Sequence, residues 1–452
     1  MANQRQKLFL CILCYVTQTL RNRWIGQSSR ALASKRRRGV GWRVPNRSLI
    51  SLNWLNLFVA QMQTGFGAFL SVYLTTHGWT GIEIGFALSL GAIAAMAAQV
   101  PAGMLVDAMH SKPHAAGAAI LAVMCAAMVI GVWPLPVPVL AAEILQGVAS
   151  SVLGPAIAAI TLALANKDVL GERLGLNMRY AAIGSFVAAT AMGSLGTWYS
   201  HRAILFLAAA CGVAGLLMLR GIHPEDLAAA PSRTDHRGAI PKPARTAPHD
   251  SKWQVACDHC LLTFTLCVAL FHLGNAGMLP IIANTLARSG QAGTDLIIAA
   301  AIVVPQALAA LLSPRIGRLA EQIGRRPVLL AGFAALVARG VLLASDGDPF
   351  LMIGFQALDG ISAAVVGVMV PLVVADLTHR RGRFNLAMGI VGLGMGIGAA
   401  LSTTLAGAIV DRYGEAASFL SLAAAGALAC LLTWLILPET ASRSRHTILP
   451  TA

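Results

Sequence analysis

Two carboxylates fall where hydrocarbon is expected. Glu143 stands in AAEILQGVAS (141–150) and Asp359 in GFQALDGISA (354–363), both within long apolar runs. An ionisable group at such depth costs about 2.5–3.5 kcal/mol on insertion scales, which makes it a functional candidate. Desolvation favours the neutral form of a carboxyl, and a group poised between its two forms can bind and release a proton. His272, in FHLGN (271–275), is a third proton candidate. The bland alternatives are an acid paired with a cation such as Arg339, an acid dipping into the headgroup region, or a histidine hydrogen-bonded in packing.

Neutral polar groups accompany them. Asn53, Asn56, Gln63 and Ser71 lie near one helical face at increments of 3, 7 and 8, with Thr64 beside them. Lipid-facing amides are costly, so this face is expected to line a wet central cavity. Gln146, Asn275, Gln356 and Arg339 are the other cavity candidates. Glu83 and Asp295 sit in first turns, where the helix dipole explains an acid. Cys257-Asp-His-Cys260 has metal-ligand residue types but no second cluster at a zinc spacing, so no metal site is expected. No phosphate-binding G-x-x-x-x-G-K-(S/T) and no hydrolase, kinase or redox constellation appears. The reading is a non-enzyme with no cofactor.

The elements that must hold these groups follow from composition. Of 452 residues, 56% are hydrophobic and 12% charged, with mean hydropathy +0.69. Soluble domains carry about twice that charge fraction, so the chain reads as an all-α polytopic membrane protein. Net charge is +15, but residues 1–47 hold eleven Lys and Arg and no acid, leaving +4 for the rest. The basicity therefore points to an anionic leaflet and not to nucleic acid. Residues 1–47 read as a disordered cytoplasmic extension. KLFLCILCYV (7–16) within them is too short to span and lacks a cleavage site. The eight cysteines fall mostly within or at the ends of apolar segments, not in a disulfide framework.

Spanning segments are expected at 49–73, 82–106, 115–134, 137–165, 175–198, 202–219, 256–284, 294–313, 327–345, 350–376, 385–410 and 417–437. This gives a six-helix bundle over 48–220, a Pro-rich polar linker over 221–253, a second bundle over 254–440 and a tail over 441–452. Loops after even-numbered spans carry Lys112, Lys167, Arg173, Arg179, the linker bases, Arg315, Arg318, Arg325, Arg326, Arg380, Arg381 and Arg383. Loops after odd-numbered spans carry only Arg202, Arg288 and Arg412. The positive-inside rule places the even loops, both termini and the linker in the cytoplasm of an inner-membrane protein.

The halves repeat. Glu83 and Asp295 are 212 residues apart, Asp107 and Glu321 are 214 apart, and Gly147 and Gly360 are 213 apart. Two halves of this kind rock about a site near the midplane in secondary transporters. Over about 49–440 the chain resembles the major facilitator superfamily. GRLAEQIGRR (317–326) matches its G-x-x-x-(D/E)-x-x-G-(R/K)-(R/K) loop, with Gly317, Glu321, Gly324, Arg325 and Arg326 in place. The first-half copy, GMLVDAMHSK (103–112), keeps Gly103, Asp107 and Lys112 but has His110 at the second glycine. LPET (437–440) is a second family-like signature.

The resemblance implies twelve transmembrane helices in two pseudo-symmetric bundles. It also implies that the motif is a gate. Gly103 and Gly317 would admit a neighbouring helix, Asp107 and Glu321 would face a helix N-terminus, and Arg325 and Arg326 would pair with the acid. Proton-coupled members often have R-x-x-x-G in span 4; here Glu143 stands at the arginine position relative to Gly147, and Gln356 in the second half. Gly175 and Gly184 resemble the span-5 motif of drug/proton antiporters, with Ala188 and Ala189 where its Gly-Pro would be. The expected function is proton-coupled efflux of a small solute by a monomer in the bilayer, with uptake and a non-transporting sensor as alternatives.

Overall fold

The computed structural model describes residues 47–66, 68–165, 169–228, 255–289, 294–345, 348–379 and 383–441. The basic extension, most of the linker and the tail beyond 441 lie outside these residues. So do Lys167, Arg380 and Arg381, and the side chains of Arg288 and Asp295.

In the first half the helices are α1 (Arg47–Thr64), α2 (Ala68–Thr76), α3 (Gly81–Ala108), α4 (Lys112–Val132), α5 (Pro136–Leu164), α6 (Leu170–Trp198), α7 (His201–Arg220) and the short α8 (Pro224–Ala228). The second half has α9 (His259–Asn275), α10 (Met278–Ser289), α11 (Thr294–Ile323), α12 (Arg325–Ser345), α13 (Pro349–Thr378), α14 (Phe384–Tyr413) and α15 (Glu415–Leu435). With α1–α2 and α9–α10 each counted as one span, these are two pseudo-symmetric six-helix bundles. Eleven spans among the described residues are long and apolar enough to cross a membrane. The twelfth, α6, is 29 residues long but carries Glu172, Arg173 and Arg179 near its start and is diluted by Gly, Ser and Thr beyond.

Local chemistry sets the ends. Thr80 and Glu83 form a capping box that opens α3, which accounts for that acid. Asp258 caps α9 by accepting from Leu261 N–H at 2.9 Å. Asp348 caps α13, accepting from Phe350 and Leu351 N–H. Apolar side chains left outward, such as Ile82, Phe86, Ile93 and Trp434, face the hydrocarbon.

Two expected continuous spans are broken. Span 1 stops at Thr64 and resumes at Ala68, and span 7 stops at Asn275 and resumes at Met278. The breaks are repeat-related, and each carries a glycine that packs on a neighbour. A Cβ at Gly65 would lie 2.7 Å from Ala208 Cβ, and one at Gly277 2.8 Å from Ala406 Cβ. Gly277 N–H donates to Ser402 Oγ at 2.8 Å, so the freed backbone group is satisfied by α14.

The halves meet through α3 against α14 and α6 against α11, in the parts of these helices next to the basic loops. We call this the basic end and its opposite the far end. Gly103 and Gly389 leave no room for a Cβ beside Asn385 and Gln99 carbonyls; Gly171 and Gly317 do the same for each other. Backbones this close depend on glycine at each crossing.

Candidate functional site

The basic end is held shut by carboxylates on helix N-termini. Asp107, in the last turn of α3, accepts from Asn385 N–H (3.1 Å), Asn385 Nδ2 (2.7 Å) and Leu386 N–H (2.9 Å) in the first turn of α14. Glu321, at the same place on α11, accepts from Gly171 N–H at 2.6 Å in the first turn of α6. Each acid thus satisfies orphan donors of a helix in the opposite half and meets the positive end of its dipole. Lys112 donates to the carbonyls of Val106 and Met109 (2.8 Å), capping the C-terminus of α3. The surface pair Arg318–Glu172, at 3.7 Å and well exposed, adds little.

The expected pairing of Arg325 and Arg326 with the motif acid is not the one found. Arg325 Nε meets Asp376 at 2.9 Å, at the end of α13, and its Nη1 donates to Ala320 carbonyl. The backbone N–H groups of Arg325 and Arg326 donate to the Glu439 carboxylate of LPET at 2.7 and 3.1 Å. Gly324 explains the geometry. Its φ of +105° turns the chain between α11 and α12, and a Cβ there would clash with the Glu439 carboxylate, closer than real contacts allow. Glu321 is left free for α6. Asp376 and Asn385 were not singled out from sequence, because polar residues at span ends look like ordinary boundary residues; Glu439 was visible only as part of LPET, without its partners.

Deeper in the second half, Arg339 is 1% exposed and bonds Asp359 at 2.6 Å. Its Nη1 also donates to Asn275 Oδ1 at 2.7 Å. The bland alternative of an intramembrane acid paired with Arg339 is what Asp359, on the neighbouring helix, has. Asp359 keeps 22% of its side chain exposed, while Arg339 is sealed. Asn275 is the last residue of α9, next to the break before α10. His272 lies one turn earlier and Gln356 one turn from Asp359; His272 Nε2, Arg339 Nε and Gln356 Oε1 are buried without a hydrogen-bond partner.

In the first half the amides divide. Gln63 Nε2 and Gln146 Nε2 both donate to Ser150 Oγ, at 3.4 and 3.1 Å, and all three residues stay half-buried. Ser150 had no sequence signal beyond lying one turn from Gln146. Asn53 and Asn56, expected in the same wet stripe, have other partners. Asn53 accepts from Arg173, which also bonds Leu49 carbonyl and Asn177. Asn56 donates to Leu52 carbonyl and is buried. A guanidinium in the first turn of α6 outcompetes water for Asn53, and backbone satisfaction takes Asn56.

Glu143 is 4% exposed. A Cβ at Gly91 would lie 2.7 Å from its Oε2, so the carboxyl fills a notch in α3. Its Oε1 has no hydrogen-bond partner. Glu143, a proton candidate from sequence, is sealed between α3 and α5.

Comparison with known proteins fits this architecture. The family model for the Major Facilitator Superfamily matches residues 52–271 and 261–448. The uncharacterized MFS-type transporter Rv2456c of Mycobacterium tuberculosis is 34% identical over 415 residues, covering 90% of this chain and 98% of that protein. The chloramphenicol resistance protein of Pseudomonas aeruginosa is 32% identical over 125 residues, 27% of this chain and 30% of that protein. The crystal structure of FucP in the outward conformation superposes with a TM-score of 0.67 at 13% identity, covering 86% of this chain and 98% of that one. A duplicated twelve-span fold, joined through acids on opposing helix N-termini, and a family match over nearly the whole described region lead to one conclusion: the chain belongs to the Major Facilitator Superfamily, as a multi-pass membrane transporter of a small solute and not an enzyme.

Proposed function

We propose that this chain exports a small organic solute in exchange for entering protons, by alternating access, with the basic end in the cytoplasm. The observation that carries the coupling is the Arg339–Asp359 pair, whose acid is partly exposed while its base is sealed. A proton on Asp359 removes the counter-ion of a guanidinium that has no water to turn to. Arg339 then leans on Asn275, beside the break between α9 and α10, and shifts the packing of the far part of span 7. Deprotonation restores the pair and the other arrangement. Gln63, Gln146 and Ser150 act as solute contacts from the first half. Gly103, Asp107, Lys112, Gly317, Glu321, Gly324, Arg325 and Arg326 form the cytoplasmic gate.

The efflux direction draws support from the partial similarity to the chloramphenicol resistance protein. The test uses purified protein in liposomes with an imposed pH gradient, chloramphenicol and a panel of organic solutes. Asp359→Asn is expected to abolish gradient-driven movement and to retain solute–solute exchange. Full gradient-driven flux in that variant overturns the coupling assignment. Faster loss of solute from the medium on overexpression, in place of accumulation outside, overturns the direction.

A further inference from the structure

The repeat places Glu143 and Gln356 at equivalent positions, 213 residues apart, just as it places Gly147 and Gly360. The helix crossings are duplicated too. Gly147 packs on the Gly91 carbonyl of α3, and Gly360 packs on the Pro305 carbonyl of α11. Glu143 is 4% exposed and Gln356 1%, and Oε1 of each is buried without a partner. One position therefore holds an acid and the other its uncharged isostere, both buried beside a duplicated helix crossing.

No described cation reaches Glu143. The bases on the helices packed on α5 are Arg47 on α1, Lys112 and His114 on α4, Arg173 and Arg179 on α6, and Arg412 on α14; the other titratable groups there are Glu83 and Asp107 on α3, Cys125 on α4, Glu172 and Tyr180 on α6, Glu225 and Asp226 on α8, and Asp411 and Tyr413 on α14. Arg173 is held by Leu49, Asn53 and Asn177, Arg179 by the Ala310 carbonyl and Lys112 by the end of α3, and none of the bases makes an ion pair with Glu143. An unpaired buried carboxylate costs several kcal/mol. Asp359, by contrast, has its guanidinium. From Glu143 a polar stripe continues along α5 through Gln146, one turn on, to Ser150, one turn further, which meets Gln63. The sealed acid is thus linked by helical register to the amides assigned to the solute.

We propose that Glu143 is a second exchangeable proton site, separate from the Asp359 pair, so that a transport cycle carries two protons. Gln356 is the fixed neutral copy of the same position. The proton enters and leaves along the Gln146–Ser150 stripe. The proposal extends the coupling reading above and rests on it for the word transport, but the site itself is tested with protons alone.

The test is infrared spectroscopy and proton counting on the purified full-length protein in liposomes, titrated from about pH 3 to about pH 9, a range that starts below the ordinary carboxyl values and runs well above them. Wild type is expected to lose a protonated-carboxyl band that Glu143→Gln removes, with one proton fewer released per chain. Asp359→Asn leaves that band intact. The Gln variant is expected to fold, because Gln already fills the equivalent position at 356. An unchanged proton count in Glu143→Gln overturns the proposal. So does a Glu143 band that persists across the whole range and resists deuterium exchange, which marks a fixed structural proton. Full gradient-driven flux in Asp359→Asn, with the Glu143 band titrating as expected, overturns only the coupling assignment of the pair.

Discussion

Asp107 of α3 accepts three hydrogen bonds from the first turn of α14, two of them from the backbone and side chain of Asn385, 278 residues away. The motif acid spends its lone pairs on the other half of the molecule. Glu321 repeats the arrangement on α6. A charged acceptor on orphan helix donors is worth about 1.5–3 kcal/mol, so the two contacts together can set which end is closed.

Asp107→Asn is expected to open the basic end. The lost charge-assisted contacts shift the closed–open ratio by roughly 10- to 100-fold. Spin labels on α3 and α14 at the basic end report this as a longer distance population. Glu321→Gln acts similarly through α6 and α11, and the double variant exceeds either.

Gly317→Val tests the crossing and not the charge. A Cβ at this position collides with the Gly171 backbone, so the closed state is lost while Glu321 remains available. The same label measurement is expected to show a permanently separated α6 and α11, with solute exchange abolished.

Breaking and deleting the buried pair are expected to differ. Asp359→Asn strands the Arg339 charge and destabilises by about 3–5 kcal/mol. Arg339→Met with Asp359→Leu removes both partners and recovers most of that loss, since the site becomes apolar. Thermal unfolding in detergent separates the two variants. Neither retains gradient-driven transport.

Gln63→Ala is expected to raise the apparent KM several-fold with little change in maximal rate. Uniform binding lost from ground and transition states behaves this way. The ratio of protons to solute stays at the wild-type value, which distinguishes this residue from Glu143 and Asp359.

Arg325 shows where reading along the chain reached its limit. Its place in the motif suggested pairing with Glu321, four residues back. Instead Gly324 turns the backbone through a positive φ and sends the guanidinium to Asp376 on α13. Sequence distance gave the nearer acid; the turn gave the other.

Composition and spacing alone determined the membrane class, eleven of the twelve spans to within a few residues, the duplication and the family loop; the eighth span runs ten residues past its expected end at 313, to Ile323. These properties depend on local periodicity and on the cost of polar groups in hydrocarbon, both of which are written into consecutive residues. The tertiary structure decided the partners: Arg339 with Asp359 and Asn275, Asn53 with Arg173, Glu143 against Gly91, and the breaks at Gly65 and Gly277. Such pairings join residues tens to hundreds of positions apart. They depend on how helices rotate and cross once packed, and no helical period specifies that rotation.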